Sequence, residues 1–299
     1  MMAAPTNPVV SGEYRENEPM SRHTSWRVGG PADIFYRPAG ADDLSLFLHQ
    51  LDAGTPVLWL GLGSNLLIRD GGIRGAVIAV AGVFKDLERV AERLVRAGVS
   101  LPCTQLARQC VRWGIGPAEF FAGIPGTVGG ALAMNAGAHG GETWERVRSV
   151  TTIDRQGGVH ERTPGDFKIG YRSVVGAIHE WFLEALFEFD PGAAASQETL
   201  KLMLARRKAT QPLGLPSCGS VFRNPPGDHA ARLIEAAGLK GFRLGGAEVS
   251  DKHANFIISR DHASAQDIET LITYVQRKVS DIHGVELATE VRIVGDTTP

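Results

Sequence analysis

Residues 61–67 read Gly61-Leu62-Gly63-Ser64-Asn65-Leu66-Leu67, and they directly follow a predicted β-strand over Val57–Leu60. Glycines after a strand let backbone N–H groups close around a phosphate, because no Cβ atom blocks the approach. The stretch lacks the third glycine of the dinucleotide pattern G-x-G-x-x-G, and a strand is expected to follow instead of a helix. It is therefore not a Rossmann fingerprint, and two interpretations stay open: a phosphate-binding loop or an ordinary glycine-rich turn.

A second run of small residues covers positions 123–138. It reads Gly123-Ile124-Pro125-Gly126-Thr127-Val128-Gly129-Gly130-Ala131 and continues to Met134-Asn135-Ala136-Gly137-Ala138. A flat aromatic ring or a pyrophosphate could lie against so bare a backbone, although a tightly packed buried turn needs the same small residues. Two glycine-rich loops without G-K-[ST] favour a dinucleotide over a nucleoside triphosphate.

The hydrophobic pattern around these loops divides the chain. Residues 1–20 are polar and aperiodic, which predicts a disordered lead-in. Residues 21–83 predict short strands around one helix, and residues 84–190 predict mainly strands around another. The predicted elements are the strands Asp33–Arg37, Gly75–Val80 and Trp181–Phe189, a helix carrying Leu44, Phe47, Leu48 and Leu51, the helix Thr104–Trp113, and a hairpin of Val150–Asp154 with Val159–Arg162.

The pattern changes after residues 190–196, which we interpret as a linker. Residues 196–299 predict an α+β part that is separate from what precedes it. Its predicted elements are a helix capped by Ser196, the helix Asp228–Ala237, a helix from a capping-box start at Ser264 and Asp267 to Gly284, and a final strand Val285–Val294.

Composition excludes several classes of protein. The chain has 299 residues, 43% of them hydrophobic, and a formal net charge of −2, which does not suggest a nucleic-acid-binding protein. Its three cysteines are widely spaced without C-x-x-C, and its histidines show no H-E-x-x-H pattern, so we expect a reducing compartment and no metal. We find no signal-peptide pattern and no apolar run of about 18 residues. We therefore expect a cytoplasmic protein without a membrane partner.

Three further stretches carry chemistry. Arg172, in Tyr171-Arg172-Ser173, suits a carboxylate, although an arginine there is more often solvated. Ser217-Cys218-Gly219-Ser220-Val221-Phe222-Arg223-Asn224-Pro225-Pro226 is a small-residue turn, and no Cys/His arrangement supports a nucleophilic Cys218. Glu290 is either a solvent-facing residue of the last strand or a buried acid with a raised pKa, and alternation favours the first.

In order, these stretches and the opening segment His23–Asp33 resemble the UDP-N-acetylenolpyruvoylglucosamine reductase family over residues 21–296. The resemblance implies an α+β fold of the vanillyl-alcohol-oxidase (PCMH) type. Two FAD-binding subdomains would cover 21–83 and 84–190, and a substrate domain would cover 196–299. No insertion follows Tyr171-Arg172-Ser173, so the chain is similar to the shorter subclass that lacks a tyrosine loop over the substrate.

The resemblance also implies the reaction. NADPH would reduce FAD, and hydride would pass from flavin N5 to the methylene carbon of UDP-N-acetylglucosamine enolpyruvate. A proton from Ser220 would complete UDP-N-acetylmuramate for peptidoglycan synthesis, cell-wall growth and division. The protein would act as a monomer on a small-molecule substrate. The sequence shows no NADPH-binding motif of its own, so the expectation of NADPH rests on the resemblance alone.

Site residues carried over from the resemblance fall into three groups. The catalytic group comprises Arg172, Ser220 and Glu290. The FAD-binding group comprises Arg27, Gly61, Gly63, Ser64, Asn65, Ile124, Pro125, Gly126, Thr127, Gly129, Gly130, Asn135, Ala136 and Gly137. The substrate-binding group comprises Tyr171, Lys208, Asn224 and His253.

Two other functions stay open. A flavin oxidase of a sugar or hydroxy acid would share the fold, but the first glycine loop has no histidine to tether flavin, and the Ser217–Pro226 motif speaks against it. A non-catalytic UDP-sugar-binding protein would not need Arg172, Ser220 and Glu290 together.

Overall fold

In the computed structural model, which describes residues 10–190 and 195–298, the first glycine-rich loop follows an edge strand of a four-stranded sheet. Its strand order is β1-β2-β5-β3, and β5 pairs in parallel with both β2 and β3. The elements of this part are β1 (Glu13–Pro19), β2 (Pro31–Arg37), α1 (Ala41–Gln50), β3 (Val57–Leu60), β4 (Leu66–Ile68) and β5 (Ile73–Ala79). The predicted helix and the predicted strands of this part are confirmed.

The first strand corrects the predicted lead-in. Residues 1–9 lie outside the described range, but Glu13–Pro19 is an ordered strand that pairs antiparallel with β2, with Glu16 opposite Ile34. Such an edge strand takes its hydrogen bonds from one neighbour and needs no apolar face of its own. The prediction of disorder for this stretch is therefore wrong, because polarity alone does not separate an edge strand from a coil.

A five-stranded sheet of order β11-β10-β14-β7-β6 forms the second part, and its core packs against two helices. The predicted hairpin is confirmed, with Gly157 at a left-handed φ of 85° in its turn. The elements are β6 (Leu87–Arg89), β7 (Leu94–Gly98), α2 (Cys103–Trp113), α3 (Val128–Met134), β8 (Gly137–Ala138), β9 (Gly141–Glu142), β10 (Val147–Asp154), β11 (Val159–Arg162), β12 (Lys168–Gly170), β13 (Ser173–Val175) and β14 (Glu180–Glu188).

Helix α3 was not predicted, because two of its first residues are glycines. The N–H groups of Val128 and Gly129 donate to the carbonyls of Leu101 and Val99 at 2.9 Å each, which anchors the start of the helix. A Cβ atom on Gly129 would lie 2.9 Å from Val99 Cβ, so the absence of a side chain is what lets the helix lie this close. Tertiary packing thus overrides low helix propensity here.

The third part carries three helices and a small antiparallel sheet. Both predicted N-caps are confirmed: Ser196 Oγ accepts from Thr199 N–H at 3.1 Å, and Ser264 and Asp267 form a reciprocal capping box. Of the predicted linker, residues 191–194 lie outside the described range. The elements are α4 (Gln197–Thr210), α5 (Ala230–Ala236), β15 (Arg243–Leu244), β16 (Ala247–Val249), β17 (Ile257–Ser259), α6 (Ala265–His283) and β18 (Arg292–Val294).

The end of the chain departs from the prediction. The predicted final strand over 285–294 is wrong except for β18, which pairs in parallel with β4 of the first part. Trp26 also belongs to the core of the third part, where its Nε1–H donates to the Ile257 carbonyl at 2.7 Å. The third part is therefore not separate from the first, because strand pairing and a shared core join them.

The side chains of residues 10–190 and 195–298 include no group of three or more His, Cys, Asp and Glu that could hold a metal ion. No helix within these residues is long and apolar enough to cross a membrane. All three cysteines are free and buried.

Candidate active site

The two glycine-rich loops lie against each other. A Cβ atom on Gly61 would lie 3.2 Å from Thr127 Oγ1, and one on Gly126 would lie 2.7 Å from Ser64 Oγ. Gly126 also has a left-handed φ of 108°. A side chain at either glycine would crowd a hydroxyl of the other loop, so the two loops lie close enough for a single ligand to contact both.

A cleft of about 350 Å³ opens where these loops meet the third part of the chain. Its lining is rich in hydroxyls and contains two arginines, which suits an anionic ligand such as a phosphate. The residues that matter here are Ser25, Arg27, Ser64, Pro125, Arg207 and Gly219. Arg27 is exposed, whereas Arg207 is partly buried and donates from Nη1 to the Ala122 carbonyl at 3.0 Å.

Several residues expected to bind FAD also make contacts within the protein. Asn65 Nδ2 donates to Met134 Sδ at 3.4 Å and to the Glu290 carbonyl at 3.2 Å. Ile124 is buried, and the Ala136 carbonyl accepts from the hydroxyl of Thr143 at 2.6 Å.

Two glycines of the same group differ from each other. Gly130 is exposed, and a Cβ atom there would meet nothing within 4 Å. Gly63, with a φ of 59°, accepts at its carbonyl from Ser25 N–H at 3.1 Å. A Cβ atom on Gly63 would lie 2.3 Å from the His23 carbonyl oxygen, so this glycine holds the first loop against the opening segment.

Arg172 sits in the two-residue turn between β12 and β13. Its backbone adopts a left-handed φ of 51°, and its guanidinium lies 5.2 Å from the ring centroid of the half-exposed Tyr171. Nη2 donates to the Gly137 carbonyl at 2.9 Å, and Nη1 donates to the Asn135 carbonyl at 3.3 Å. A Cβ atom on Gly137 would lie 3.3 Å from Nη1, so a glycine there leaves room for the guanidinium.

Glu290 faces this guanidinium, with Oε1 3.4 Å from Arg172 Nε; the two side chains are 16% and 17% exposed. The expectation of a solvent-facing Glu290 is therefore wrong, because residue 290 lies outside β18 and does not follow strand alternation. Burial raises the pKa of Glu290, while the positive charges of Arg172 and Arg223 oppose that rise. The carboxyl thus holds its proton to a higher pH than an exposed glutamate.

Ser220 lies beside Glu290 through the backbone. The carbonyl of the next residue, Val221, accepts from Glu290 N–H at 2.8 Å, and Phe222 forms a bridge with Thr289. On the other side, a Cβ atom on Gly219 would lie 3.7 Å from Pro125 Cγ. Ser220 therefore occupies a segment between the second glycine-rich loop and the Arg172–Glu290 pair.

Cys218 is a packing residue. Its thiol is 3% exposed and lies within hydrogen-bonding distance of the Gly63 and Leu66 carbonyls, at 3.5 and 3.4 Å. Burial raises the pKa of this thiol to about 12, which leaves almost no thiolate at neutral pH.

Three of the four expected substrate residues are not bonded to the Arg172–Glu290 pair, whereas the fourth, Tyr171, lies next to Arg172. Lys208 is exposed in the last turn of α4, and Asn224 Oδ1 accepts from Ala230 N–H at 3.1 Å at the start of α5. His253 Nδ1 accepts from Asn255 N–H at 3.3 Å, and burial lowers the pKa of His253. Among the described residues, no hydrogen bond or ion pair joins these three side chains to Arg172 or Glu290.

Sequence reasoning missed Arg223. Its backbone N–H donates to the Ala288 carbonyl at 2.9 Å, and its charge acts on Glu290. The Nε atoms of Arg223 and Arg172 are both buried without a hydrogen-bond partner. The signal in the sequence was that Arg223 lies three residues after Ser220. The antiparallel bridge between Phe222 and Thr289 brings this segment close to Glu290.

Comparison with known proteins identifies the family. Residues 211–294 match the model described as UDP-N-acetylenolpyruvoylglucosamine reductase, C-terminal domain, and residues 32–163 match an FAD binding domain. A UDP-N-acetylenolpyruvoylglucosamine reductase from Alkalilimnicola ehrlichii is 57% identical over 99% of both chains. One from Methylococcus capsulatus is 55% identical over 98% of this chain and 97% of the relative.

A solved structure supports the same assignment. The crystal structure of UDP-N-acetylenolpyruvylglucosamine reductase from Thermus caldophilus is 30% identical, with a TM-score of 0.78, and the match covers 94% of this chain and 98% of that one. The predicted α+β fold, an FAD-binding part followed by a reductase C-terminal domain, is confirmed. The chain belongs to the UDP-N-acetylenolpyruvoylglucosamine reductase family.

Proposed function

We propose that this protein reduces UDP-N-acetylglucosamine enolpyruvate to UDP-N-acetylmuramate with FAD and NADPH, a step of peptidoglycan precursor synthesis. The observation that carries the proposal is the partly buried Arg172–Glu290 pair beside the Ser220 segment, in a chain of the reductase family. We further propose that it acts in the cytoplasm as a monomer, and that its product supports cell-wall growth, cell shape and division.

The two facing glycine-rich loops fit an FAD cofactor. A side chain at Gly61 or Gly126 would crowd the contact between the loops, and the adjoining cleft offers Arg27 and Ser64 to a dinucleotide. We propose that residues 21–83 and 84–190 hold FAD and that residues 196–299 hold the substrate. Bound FAD supplies the electrons that NADPH delivers.

Arg172 is proposed to hold the carboxylate of the enolpyruvyl group. When the double bond is reduced, negative charge grows on the carboxylate oxygens, and fixed donors lower the energy of that state. The guanidinium is already held by the carbonyls of Asn135 and Gly137, so little reorganisation is required during the reaction. A guanidinium fork also matches the geometry of a carboxylate.

Glu290 is proposed to act as a neutral acid. An ionised carboxylate would repel the developing negative charge, whereas a protonated carboxyl can donate a hydrogen bond to it. Burial raises the pKa of Glu290, which favours the neutral form.

Ser220 is proposed to donate the proton to the carbon next to the new C–H bond. A serine hydroxyl is a weak acid, so it acts only on a strongly basic carbon or through a relay. The Glu290 backbone N–H is bonded to the carbonyl of the residue after Ser220, which holds the Ser220 segment against the segment that carries the acid.

The UDP part is proposed to contact Lys208, Asn224, His253 and Tyr171. Lys208 follows Arg206 and Arg207 at the end of α4, and Arg207 lines the cleft, so this helix end presents positive charge to a diphosphate. Arg223 adds a further positive charge, and it acts on Glu290.

Replacing Ser220 by alanine should separate the two half-reactions. NADPH should still bleach the flavin in the Ser220→Ala variant, but reoxidation by the enolpyruvyl substrate should slow about 100-fold or more, as for loss of a general acid. Ser149→Ala, in strand β10, serves as the control. Anaerobic stopped-flow absorbance measures both steps, and unchanged reoxidation in Ser220→Ala would remove Ser220 from the proton-donor role.

Ionisation of Glu290 should make the rate of substrate-dependent flavin reoxidation fall at high pH. As pH rises through its raised pKa, the carboxyl ionises, and the rate of substrate-dependent flavin reoxidation should fall about tenfold per pH unit. Glu290→Gln keeps a neutral donor of the same shape, so its rate should stay flat over that range. If the same fall at high pH persists in Glu290→Gln, a different group is responsible.

Lys208→Ala should raise KM for the substrate about tenfold, as for loss of a charge-assisted hydrogen bond worth ~1.5 kcal/mol, and change kcat little. A diphosphate contact is made equally in the ground and transition states. Lys201→Ala, an exposed lysine on the same helix, is the matched control. Steady-state kinetics distinguish the outcomes, and a collapsed kcat at unchanged KM contradicts this assignment.

A further inference from the structure

Asn135 is the C-cap residue of α3. Its side chain has no hydrogen-bond donor left for a cofactor. It is 2% exposed and adopts a left-handed φ of 46°. Its Nδ2 donates to Glu142 Oε2 at 2.7 Å and to the Gly170 carbonyl at 3.3 Å. Its Oδ1 accepts from Trp144 N–H at 3.1 Å. Both amide hydrogens are thus bonded inside the protein.

These bonds fix Arg172 at both of its ends. Gly170 is the last residue of β12, immediately before the turn that carries Arg172, so the Asn135 amide holds the backbone from which the arginine projects. The Asn135 carbonyl then accepts from Arg172 Nη1 at 3.3 Å, beside the bond from Nη2 to Gly137. Asn135 therefore holds both the backbone next to Arg172 and the guanidinium of Arg172.

The Arg172 N–H groups that do not donate to these carbonyls are available to bind the substrate. A guanidinium has five N–H groups, and the Asn135 and Gly137 carbonyls accept two of them. Of the other three, the Nε–H group has no hydrogen-bond partner, although Nε lies 3.4 Å from Glu290 Oε1. A long arginine side chain loses considerable rotamer entropy when it is fixed, so a scaffold that holds it in advance removes that cost from substrate binding.

We propose that Asn135 is a positioning residue for Arg172 in the reduction, and not a contact of FAD. The inference rests on the proposed function, because it assigns Arg172 to the substrate carboxylate. Asparagine suits this place, since it tolerates the left-handed backbone and supplies two donors and an acceptor. Aspartate would lose both donors and place a second carboxylate against Glu142.

Two variants test the positioning role. Asn135→Gly keeps the left-handed backbone without the amide, and Asn135→Asp keeps the shape without the donors. We expect both to bind FAD and to be bleached by NADPH as the unmodified protein is, while reoxidation by the enolpyruvyl substrate slows about 100-fold, as a misplacement of ~1 Å can cause. A loss of FAD affinity with normal reoxidation in the loaded fraction would overturn the proposal.

The control removes an equivalent bond elsewhere. Thr152 in β10 is 1% exposed, and its hydroxyl donates to Glu180 Oε2 at 2.8 Å. Thr152→Val should leave both half-reactions unchanged. If it slows reoxidation as much as Asn135→Gly, a general loss of stability explains the effect and the proposal fails.

A double-mutant cycle tests whether Asn135 acts through Arg172. In the Arg172→Ala background, Asn135→Gly should add no further loss of reoxidation rate, because the guanidinium it positions is gone. Losses that multiply would show an independent role for Asn135 and overturn the proposal.

A crystal structure of the FAD-loaded Asn135→Gly variant separates this inference from the proposed function. If the enolpyruvyl substrate never reoxidises the flavin of the unmodified protein, the proposed function fails. The crystal structure of the variant still decides whether Asn135 positions Arg172. A displaced Arg172 guanidinium supports positioning by Asn135. An unchanged guanidinium, held by Gly137 and the residue 135 carbonyl alone, refutes it.

Discussion

The short parallel pairing of β18 with β4 is the constraint on which the site depends. It brings the end of the chain back beside the first glycine-rich loop, where Arg292 pairs with Leu66 and donates from its backbone to the Asn65 carbonyl at 3.1 Å. Glu290 is then held on both sides of its backbone, by the Val221 carbonyl and by the Asn65 amide. The loop expected to hold FAD and the acid expected to act on the substrate therefore share one hydrogen-bonded frame.

The electrostatics of the site follow from this frame. Glu290 is partly buried and feels the positive charges of Arg172 and Arg223, so burial and positive charge act on its pKa in opposite directions, and burial prevails. Arg172 does not depend on the carboxylate for its position, because two backbone carbonyls hold its guanidinium. A neutral Glu290 can thus coexist with an ordered Arg172, which is the combination that a reaction developing negative charge requires.

Much of this architecture is predictable from sequence where the signal is local. Capping residues such as Ser196 and Ser264, the Gly157 hairpin turn and the helical spacing of α1 act over a few residues, and the structure has them where the pattern places them. The two glycine-rich loops were recognisable by composition, and their contact with each other follows from their lack of side chains.

Features set by tertiary contacts were not predictable. Strand β1 is polar and exists because β2 supplies its hydrogen bonds. Helix α3 forms despite the two glycines in its first turn because two carbonyls of the neighbouring segment anchor its start. The partial burial of Glu290 depends on pairing with residues far away in the chain. Strand alternation, which is a local pattern, therefore predicted wrongly that this side chain faces solvent. Asn135 lies in a run expected to contact the cofactor, and only its hydrogen bonds reveal that its amide is used within the protein.

The most direct test of the account is anaerobic absorbance of the purified protein in the flavin band. NADPH is added first, and UDP-N-acetylglucosamine enolpyruvate is added second. The account predicts a yellow protein that NADPH bleaches and that recovers its colour when the enolpyruvyl substrate is added without oxygen. A bleached flavin that recovers only when air is admitted would contradict the account and point to a flavin oxidase, and a colourless protein would point to a non-catalytic sugar-nucleotide-binding protein.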